Sequence, residues 1–171
     1  MRKGMKNFVS AWILLMTVTA CQSSNNESSA GGESPKSMIA EEVPEGTQIQ
    51  ITVNSNDQMR FDVKEIKVRA GQEVTLTLNH TGTSSVKMMG HNWVLLNKGV
   101  KLSEFGQKAS FAGDNEYIPK DAGSDVIAHT KMLGGGESDT ITFTAPEKGE
   151  YEFLCSFPGH YGIMKGKLIV I

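Results

Sequence analysis

Several residue types are scarce in this chain of 171 residues, and each scarcity removes a class of protein. Only two cysteines occur, Cys21 and Cys155, 134 positions apart. In an exported protein a pair would normally suggest a disulfide, but each has a better use and no disulfide is expected. There is no basic cluster, so nothing points to nucleic acid. The apolar stretch from Phe8 to Val18 falls short of the roughly 20 residues that span a bilayer as a helix. Histidine occurs four times and never as a His-X-His pair. No internal repeat is visible.

What remains is enough for one domain. Apolar residues make up 39% of the chain, sufficient for a packed core. Residues 1–20 read as an export signal: Arg2, Lys3 and Lys6 precede the apolar run, which ends Val18-Thr19-Ala20-Cys21. That ending resembles a bacterial lipobox, in which the Cys is acylated and becomes the new N-terminus. Acyl chains on Cys21 would hold the protein on a membrane, each buried CH₂ contributing about 0.8 kcal/mol. Gln22, rather than Asp, follows the Cys; by resemblance to lipoprotein sorting in two-membrane bacteria this favours the periplasmic face of the outer membrane. Beyond the signal the chain carries fourteen basic and nineteen acidic residues, a net charge of −5. Residues 21–43 are rich in Ser, Asn, Gly and Glu and read as a flexible tether, with an r.m.s. reach of roughly 25 Å.

From residue 44 to 171 the pattern changes to short strands separated by turn signals, which predicts an all-β Greek-key sandwich of about eight strands. Gln48 to Val53 alternates, and Asn54-Ser55-Asn56-Asp57 reads as the turn after it. Phe61 to Val63, Ile66 to Val68 and Glu73 to Asn79 follow, then a polar loop (Thr81 to Ser85) and the apolar run Trp93 to Leu96. Residues 98–120 break the rhythm, and Leu102, Phe105 and Ala109 at i, i+3 and i+7 predict a short helix there. Strands resume at Asp125 to Thr130 and Asp139 to Thr144.

The last two strands, Gly149 to Leu154 and Lys165 to Ile171, flank the segment that carries the chemistry: Cys155-Ser156-Phe157-Pro158-Gly159-His160-Tyr161-Gly162-Ile163-Met164. A thiolate, an imidazole and a thioether fall within ten residues around a Pro-Gly turn. Soft sulfur with borderline nitrogen suits copper, and Cys with two His and a weak axial Met describes a blue-copper electron-transfer site. The second His is supplied by His91, in Met89-Gly90-His91-Asn92-Trp93-Val94. Taken singly, His91 and Met164 would more often be structural; together with Cys155 and His160 they are hard to explain by packing alone.

On these residues the chain resembles the azurins, small blue-copper proteins of the cupredoxin fold. The matching segments are Met89 to Leu95, Val126 to Lys131, Gly134 to Phe143 and Cys155 to Leu168; Asn56 to Met59 and Asn79 to Gly82 match more loosely. The resemblance covers about Thr47 to Ile171 and excludes the signal and tether. It implies one copper ion with His91, Cys155 and His160 as equatorial ligands, Met164 as a long axial ligand and the Gly90 carbonyl as a second weak axial contact. It also implies that Asn92 ties the two ligand loops together, that the Phe157 amide donates toward sulfur, and that Pro158 and Gly159 shape the loop. Electrons would enter at a partly exposed His160, through an apolar patch of Met59, Met89, Phe157, Pro158, Gly159 and Ile163, with Met88 adding to it; core packing is the other use of Met59 and Met88. His80 matches a buried azurin histidine near the copper, with either a tuning or a purely structural role. Trp93 is expected in the core and His129 on the surface.

Three departures stand out. Azurins commonly carry a disulfide where this chain has Ile49 and Gln72, and loss of such a link can lower stability by about 2–5 kcal/mol. Ser84 stands where an apolar patch residue is usual. The lipobox and tether are additions. The expected function is a single-electron carrier, not an enzyme, passing electrons between redox proteins such as cytochromes c and a terminal reductase, oxidase or peroxidase. A multicopper oxidase would need His-X-His pairs that are missing. A copper-handling (chaperone or storage) lipoprotein is the alternative, though a ligand set drawn from two separate strands reads as retention. Zinc would also bind a Cys-His-His set. A monomer is expected, although an apolar docking patch and a weak dimer interface look alike in sequence.

Overall fold

The computed structural model describes residues 46–171. The expected signal (1–20), the tether (21–43) and the lipidation site Cys21 lie outside the described residues. Nine strands form two sheets. The first contains β1 (Gln48–Asn56), β2 (Arg60–Phe61), β4 (Glu73–His80) and β7 (Ser138–Thr144), in the order β2-β1-β4-β7. The second contains β3 (Glu65–Val68), β5 (Val94–Leu96), β6 (Val126–His129), β8 (Gly149–Leu154) and β9 (Lys165–Val170), in the order β3-β9-β8-β5-β6. β1 with β4 and β3 with β9 are parallel, and the other pairs are antiparallel. Parallel neighbours cannot be joined by a tight hairpin, so the chain leaves the first sheet after β2, adds β3 to the second and returns for β4.

Period-2 alternation sets what each strand buries. β4 turns Val74, Leu76 and Leu78 inward. β1 does the same with Ile51 and Val53, and β8 with Tyr151 and Phe153. Opposite Phe153 in the ladder stands Gly166, where an added Cβ would run into the Phe153 ring; the aromatic side chain crosses the space a side chain would need. β5 is apolar throughout because both of its faces are covered. Trp93 and Leu95 belong to the core between the sheets, while Val94 and Leu96 lie under α2 (Leu102–Ala109) together with Leu154. Leu102, Phe105 and Ala109, the three residues of the i, i+3, i+7 pattern, are the ones α2 presents to that layer.

Two local features differ from the sequence reading. β1 does not end at Val53 but runs through Asn54, Ser55 and Asn56. Polar residues continue the strand because neighbours satisfy them: Asn54 N–H and Nδ2 donate to the Asp62 carboxylate at 2.8 and 2.7 Å, and Ser55 Oγ donates to the Asn79 carbonyl at 3.1 Å. The turn comes three residues later, at Met59, whose φ of 55° is unusual for a residue with a side chain. The second feature is α1 (Val86–Met89), a single helical turn with no buried residue and no side-chain cap, which leaves no periodicity to read.

Gln72, where the resemblance implies one half of a disulfide, is buried. Its Oε1 accepts from Arg69 N–H at 2.8 Å and its Nε2 donates to the Gly46 carbonyl at 2.9 Å, so a carboxamide clasps the start of the domain to the turn before β4. Gln72→Ala removes both of these hydrogen bonds and is expected to lower unfolding stability by roughly 1–3 kcal/mol. Urea denaturation of the metal-free protein measures it; an unchanged midpoint would show that the clasp contributes nothing.

Candidate metal centre

The inward faces of the strands end in polar donors at one end of the sandwich. His91 continues the inward parity of Trp93 and Leu95, and Cys155 continues that of Tyr151 and Phe153. Met164 precedes Gly166, Leu168 and Val170 on the inward face of β9, and His80 follows Leu78 on β4. The same rule that fills the core with leucine and phenylalanine thus aims four chemically useful side chains into one place.

Cys155 Sγ lies 3.8 Å from His91 Nδ1 and 3.7 Å from His160 Nδ1. These three atoms all fall within 4.8 Å of one another, and all three residues are buried. The spacing fits a metal. With metal–sulfur and metal–nitrogen bonds of about 2.3 and 2.0 Å, an angle near 120° puts sulfur and nitrogen about 3.7 Å apart. The Gly90 carbonyl oxygen is 3.8 Å from the same sulfur.

Backbone groups orient the donors. His91 Nε2–H donates to the Asn56 carbonyl at 2.9 Å, which leaves Nδ1 as the lone-pair nitrogen facing the sulfur. His91 is further fixed by a two-way bridge to Leu133, with its N–H donating at 3.0 Å and its carbonyl accepting at 2.8 Å. The backbone amides of Asn92 and Phe157 donate toward Cys155 Sγ. Burial dominates the protonation of the set. It pushes the Cys155 thiol up to about 12 against those two amides, and pushes His91 and His160 down to about 4 each. The imidazoles are therefore neutral and available as ligands, while the thiol keeps its proton until a cation displaces it.

The two ligand segments are tied by Asn92. Its Nδ2 donates to Ser156 Oγ at 2.8 Å, and its Oδ1 accepts from Ser156 N–H at 2.9 Å. At Gly90 an added Cβ would meet the Val86 carbonyl oxygen at 2.6 Å, the Met132 sulfur at 3.0 Å and the Phe157 ring at 3.0 Å, so only glycine allows this close approach. The Cys155 N–H donates to the Met164 carbonyl at 2.9 Å, closing the loop at its base. Met164 is fully buried in the same cluster as Cys155.

His160 retains 4% of its surface, less than the partial exposure read from the resemblance, because the Phe157 ring tilts over it at 4.7 Å. Of the residues expected in the apolar patch, Met88 and Ile163 are exposed, at 75% and 52%; Gly159 is exposed, and Met59, Met89, Phe157 and Pro158 are half-buried. Met59 also packs against the core. His80 is buried, its ring stacked on His91 at 4.4 Å, with Nδ1 accepting from Gly82 N–H and Nε2 donating to the Met89 carbonyl. Trp93 is buried between Phe143 and Phe153, and His129 is exposed. Four participants were not singled out from sequence: the Asn56 carbonyl, Ser156, Met132 and Tyr117, whose ring meets Phe157 edge-on at 5.2 Å. A backbone carbonyl has no residue-type signal, and the other three lack a motif of their own.

Comparison with known proteins points the same way. Residues 47–171 match the model of the family described as copper binding proteins, plastocyanin/azurin family. An azurin from Pseudomonas chlororaphis is 41% identical over 128 residues, covering 72% of this chain and 98% of that protein. Outer membrane protein H.8 of Neisseria meningitidis serogroup B is 44% identical over 125 residues, covering 70% of this chain and 66% of that protein. Among solved structures, dithionite-reduced auracyanin from Roseiflexus castenholzii aligns with a TM-score of 0.65 and 39% identity over 74% of this chain and 99% of its own.

The depressed histidines fix the sign of an acid effect on the metal-free protein. Between the ordinary value of 6.5 and the folded value of about 4 the unfolded chain binds more protons, so stability is full above that window and falls as pH drops through it. Urea midpoints of metal-free protein from pH 7.5 to 4 are expected to decline within this interval. A flat profile would contradict the burial of the two rings.

Proposed function

The chain belongs to the plastocyanin/azurin family of copper-binding proteins, and from that membership we propose the ligand roles and setting of its electron-transfer site. The protein is a type 1 copper electron carrier that holds one copper ion, with the candidate site at His91, Cys155 and His160. The observation that carries this function is the trio of buried donor atoms, one sulfur and two imidazole nitrogens facing it at 3.7 and 3.8 Å.

In the proposed arrangement His91, Cys155 and His160 would hold the copper, with Met164 as a weaker ligand and the Gly90 carbonyl as a further weak contact. Copper bound there would cycle between Cu(I) and Cu(II), accepting and releasing one electron. The protein's own contribution is to hold the donors still. The Asn56 carbonyl fixes the His91 ring, Asn92 and Ser156 lock the two ligand segments, and the amides of Asn92 and Phe157 draw charge from the sulfur. Donors held in place by backbone need not move when the charge changes, which keeps reorganisation small. Burial of all three donors also argues against hand-off of the metal, as a copper-handling protein would require.

Electrons would pass through the apolar patch around His160 to redox proteins such as cytochromes c and a terminal reductase, oxidase or peroxidase. The apolar surface suits brief, low-affinity contact. Residues 1–20 would be removed as a lipoprotein signal, Cys21 would carry the lipid, and residues 21–43 would tether the 44–171 domain to the periplasmic face of the outer membrane. The match to an outer membrane protein supports that setting.

Reconstitution with Cu(II) is expected to give an intense thiolate-to-copper band in the orange-red that bleaches with ascorbate. Cys155→Ser should abolish the band, and Met164→Gln should keep copper while lowering the reduction potential; persistence of colour in the first or an unchanged potential in the second would remove that ligand. Cys21→Ser is expected to move the protein from the membrane to the soluble fraction on cell fractionation, and continued membrane residence would refute the anchor.

A further inference from the structure

Three cations lie together at the metal end of the domain. Lys67, Lys101, Lys108, Lys120 and Lys167 each meet a carboxylate at 2.6 to 3.5 Å. Arg60, Lys64 and Lys165 form no ion pair among the described residues; the same holds for Lys87, Lys98, Lys131 and Lys148, so it is their grouping that sets the three apart. Arg60 opens β2 opposite Asn56, whose carbonyl holds the His91 ring, and Lys165 opens β9 directly after Met164. Lys64 lies between them and donates through Nζ to the carbonyls of Ile163 and Lys165, at 2.9 and 3.3 Å. Partial burial holds the Lys64 ammonium below its ordinary value, and the nearby charges of Lys165 and Arg60 act in the same direction. The nearby carboxylates of Asp57 and Asp62 are engaged by other donors and form no ion pair with this group. Asp57 accepts from the amides of Thr83 and Ser84, and Asp62 from Asn54.

We propose that Arg60, Lys64 and Lys165 form a cationic rim beside Ile163 that steers an acidic redox protein onto the apolar patch. Three unpaired cations around one exposed apolar residue complement a partner whose docking edge is ringed by carboxylates. Such a rim raises the encounter rate without tightening the complex, which suits a shuttle. An anionic lipid surface is the other polyanion at hand, and the fold argues against it. The described domain begins at Gly46, clasped to Gln72 at one end of β1, while Asn56 at the other end holds the ligand His91. Eight residue steps of strand separate the two by about 27 Å, so the cations lie at the end of the domain opposite the point where the chain enters it.

The proposal rests on the electron-carrier reading, and the blue band reports on that reading separately. The test uses lipidated, copper-loaded full chain in zwitterionic nanodiscs. Oxidation of the Cu(I) protein by hexacyanoferrate(III) moves one electron to iron, leaving Cu(II) and hexacyanoferrate(II). This rate is expected to fall at least about threefold between about 10 and about 200 mM salt, whereas oxidation by tris(phenanthroline)cobalt(III) should not fall. Beyond the signal the chain is net negative, so its overall charge predicts the opposite sign. Arg60→Gln with Lys165→Gln should remove most of the salt response while leaving the blue band unchanged. An acidic c-type cytochrome should exchange electrons faster than a basic one of matched potential. In the metal-free protein, redox-inert hexacyanocobaltate(III) should shift the amide resonances of Arg60, Ile163 and Lys165. An anion rate that rises with salt, a double variant that behaves as wild type, preference for the basic cytochrome, or shifts located elsewhere would overturn the proposal. So would loss of the anion response when the nanodisc lipid is anionic, since the cations would then be resting on the membrane. A protein that never turns blue would instead refute the copper reading itself.

Discussion

The structure depends on one constraint: strands that bury apolar residues on alternate positions must continue that alternation into the end of the sandwich, where the residues are polar. His80, His91, Cys155 and Met164 all occupy inward positions that leucine or phenylalanine fills further along the same strands. A thiol and several imidazoles brought into an apolar interior lose their water, and nothing but hydrogen bonds or a metal can replace it. Burial accordingly disfavours both thiolate and imidazolium, with Cys155 at about 12 and His91 and His160 at about 4. Without metal the centre is therefore uncharged, and the neutral nitrogens remain open as donors.

Hydrogen bonding does the positioning that packing cannot. Each ligand segment is anchored to a neighbour that contributes no ligand: His91 to Asn56 and Leu133, and Ser156, beside Cys155, to Asn92. These partners come from three stretches of chain far apart in sequence. Shifting any one segment would break bonds to the others, so the geometry is held by the sheet as a whole rather than by the loop from Cys155 to Met164 alone. The close approach at Gly90, where a side chain would strike the Val86 carbonyl and the Phe157 ring, ties α1 and the ligand loop into the same block.

Alternation explains why much of this could be read in advance. Glu73 to Asn79 and Gly149 to Leu154 show period 2 plainly, and Leu102, Phe105 and Ala109 show the helical period that covers β5. Cys155 and His160 were readable because sulfur and imidazole at that spacing have few structural uses. Other parts carried no such signal. Asn54-Ser55-Asn56 has the composition of a turn, yet it is strand, because Asp62 and Asn79 satisfy it from positions that local sequence does not reveal. α1 is one turn long and has no period. The Asn56 carbonyl that orients His91 belongs to the backbone, so no choice of side chain announces it. Gln72 resembles any polar residue before a strand until its carboxamide is seen joining Gly46 to Arg69.

The two ends of the sandwich also divide its duties. At one end the chain enters the domain, where the Gln72 carboxamide joins the Gly46 carbonyl to the Arg69 amide. At the other, a buried centre sits under apolar side chains with cations to one side. Cu(I) held by one thiolate and two neutral imidazoles would carry no net charge and little long-range field, so orientation of a partner that approaches the reduced protein must come from surface charge outside the centre. Charge placed within the patch would need to be desolvated at each encounter, whereas charge at its rim keeps its water and still steers. Arg60 and Lys165 are exposed in this way, and Lys64 is held against the Ile163 carbonyl, where it braces the loop leading to Met164. The same side chain then serves both the rigidity of the centre and the field that partners meet.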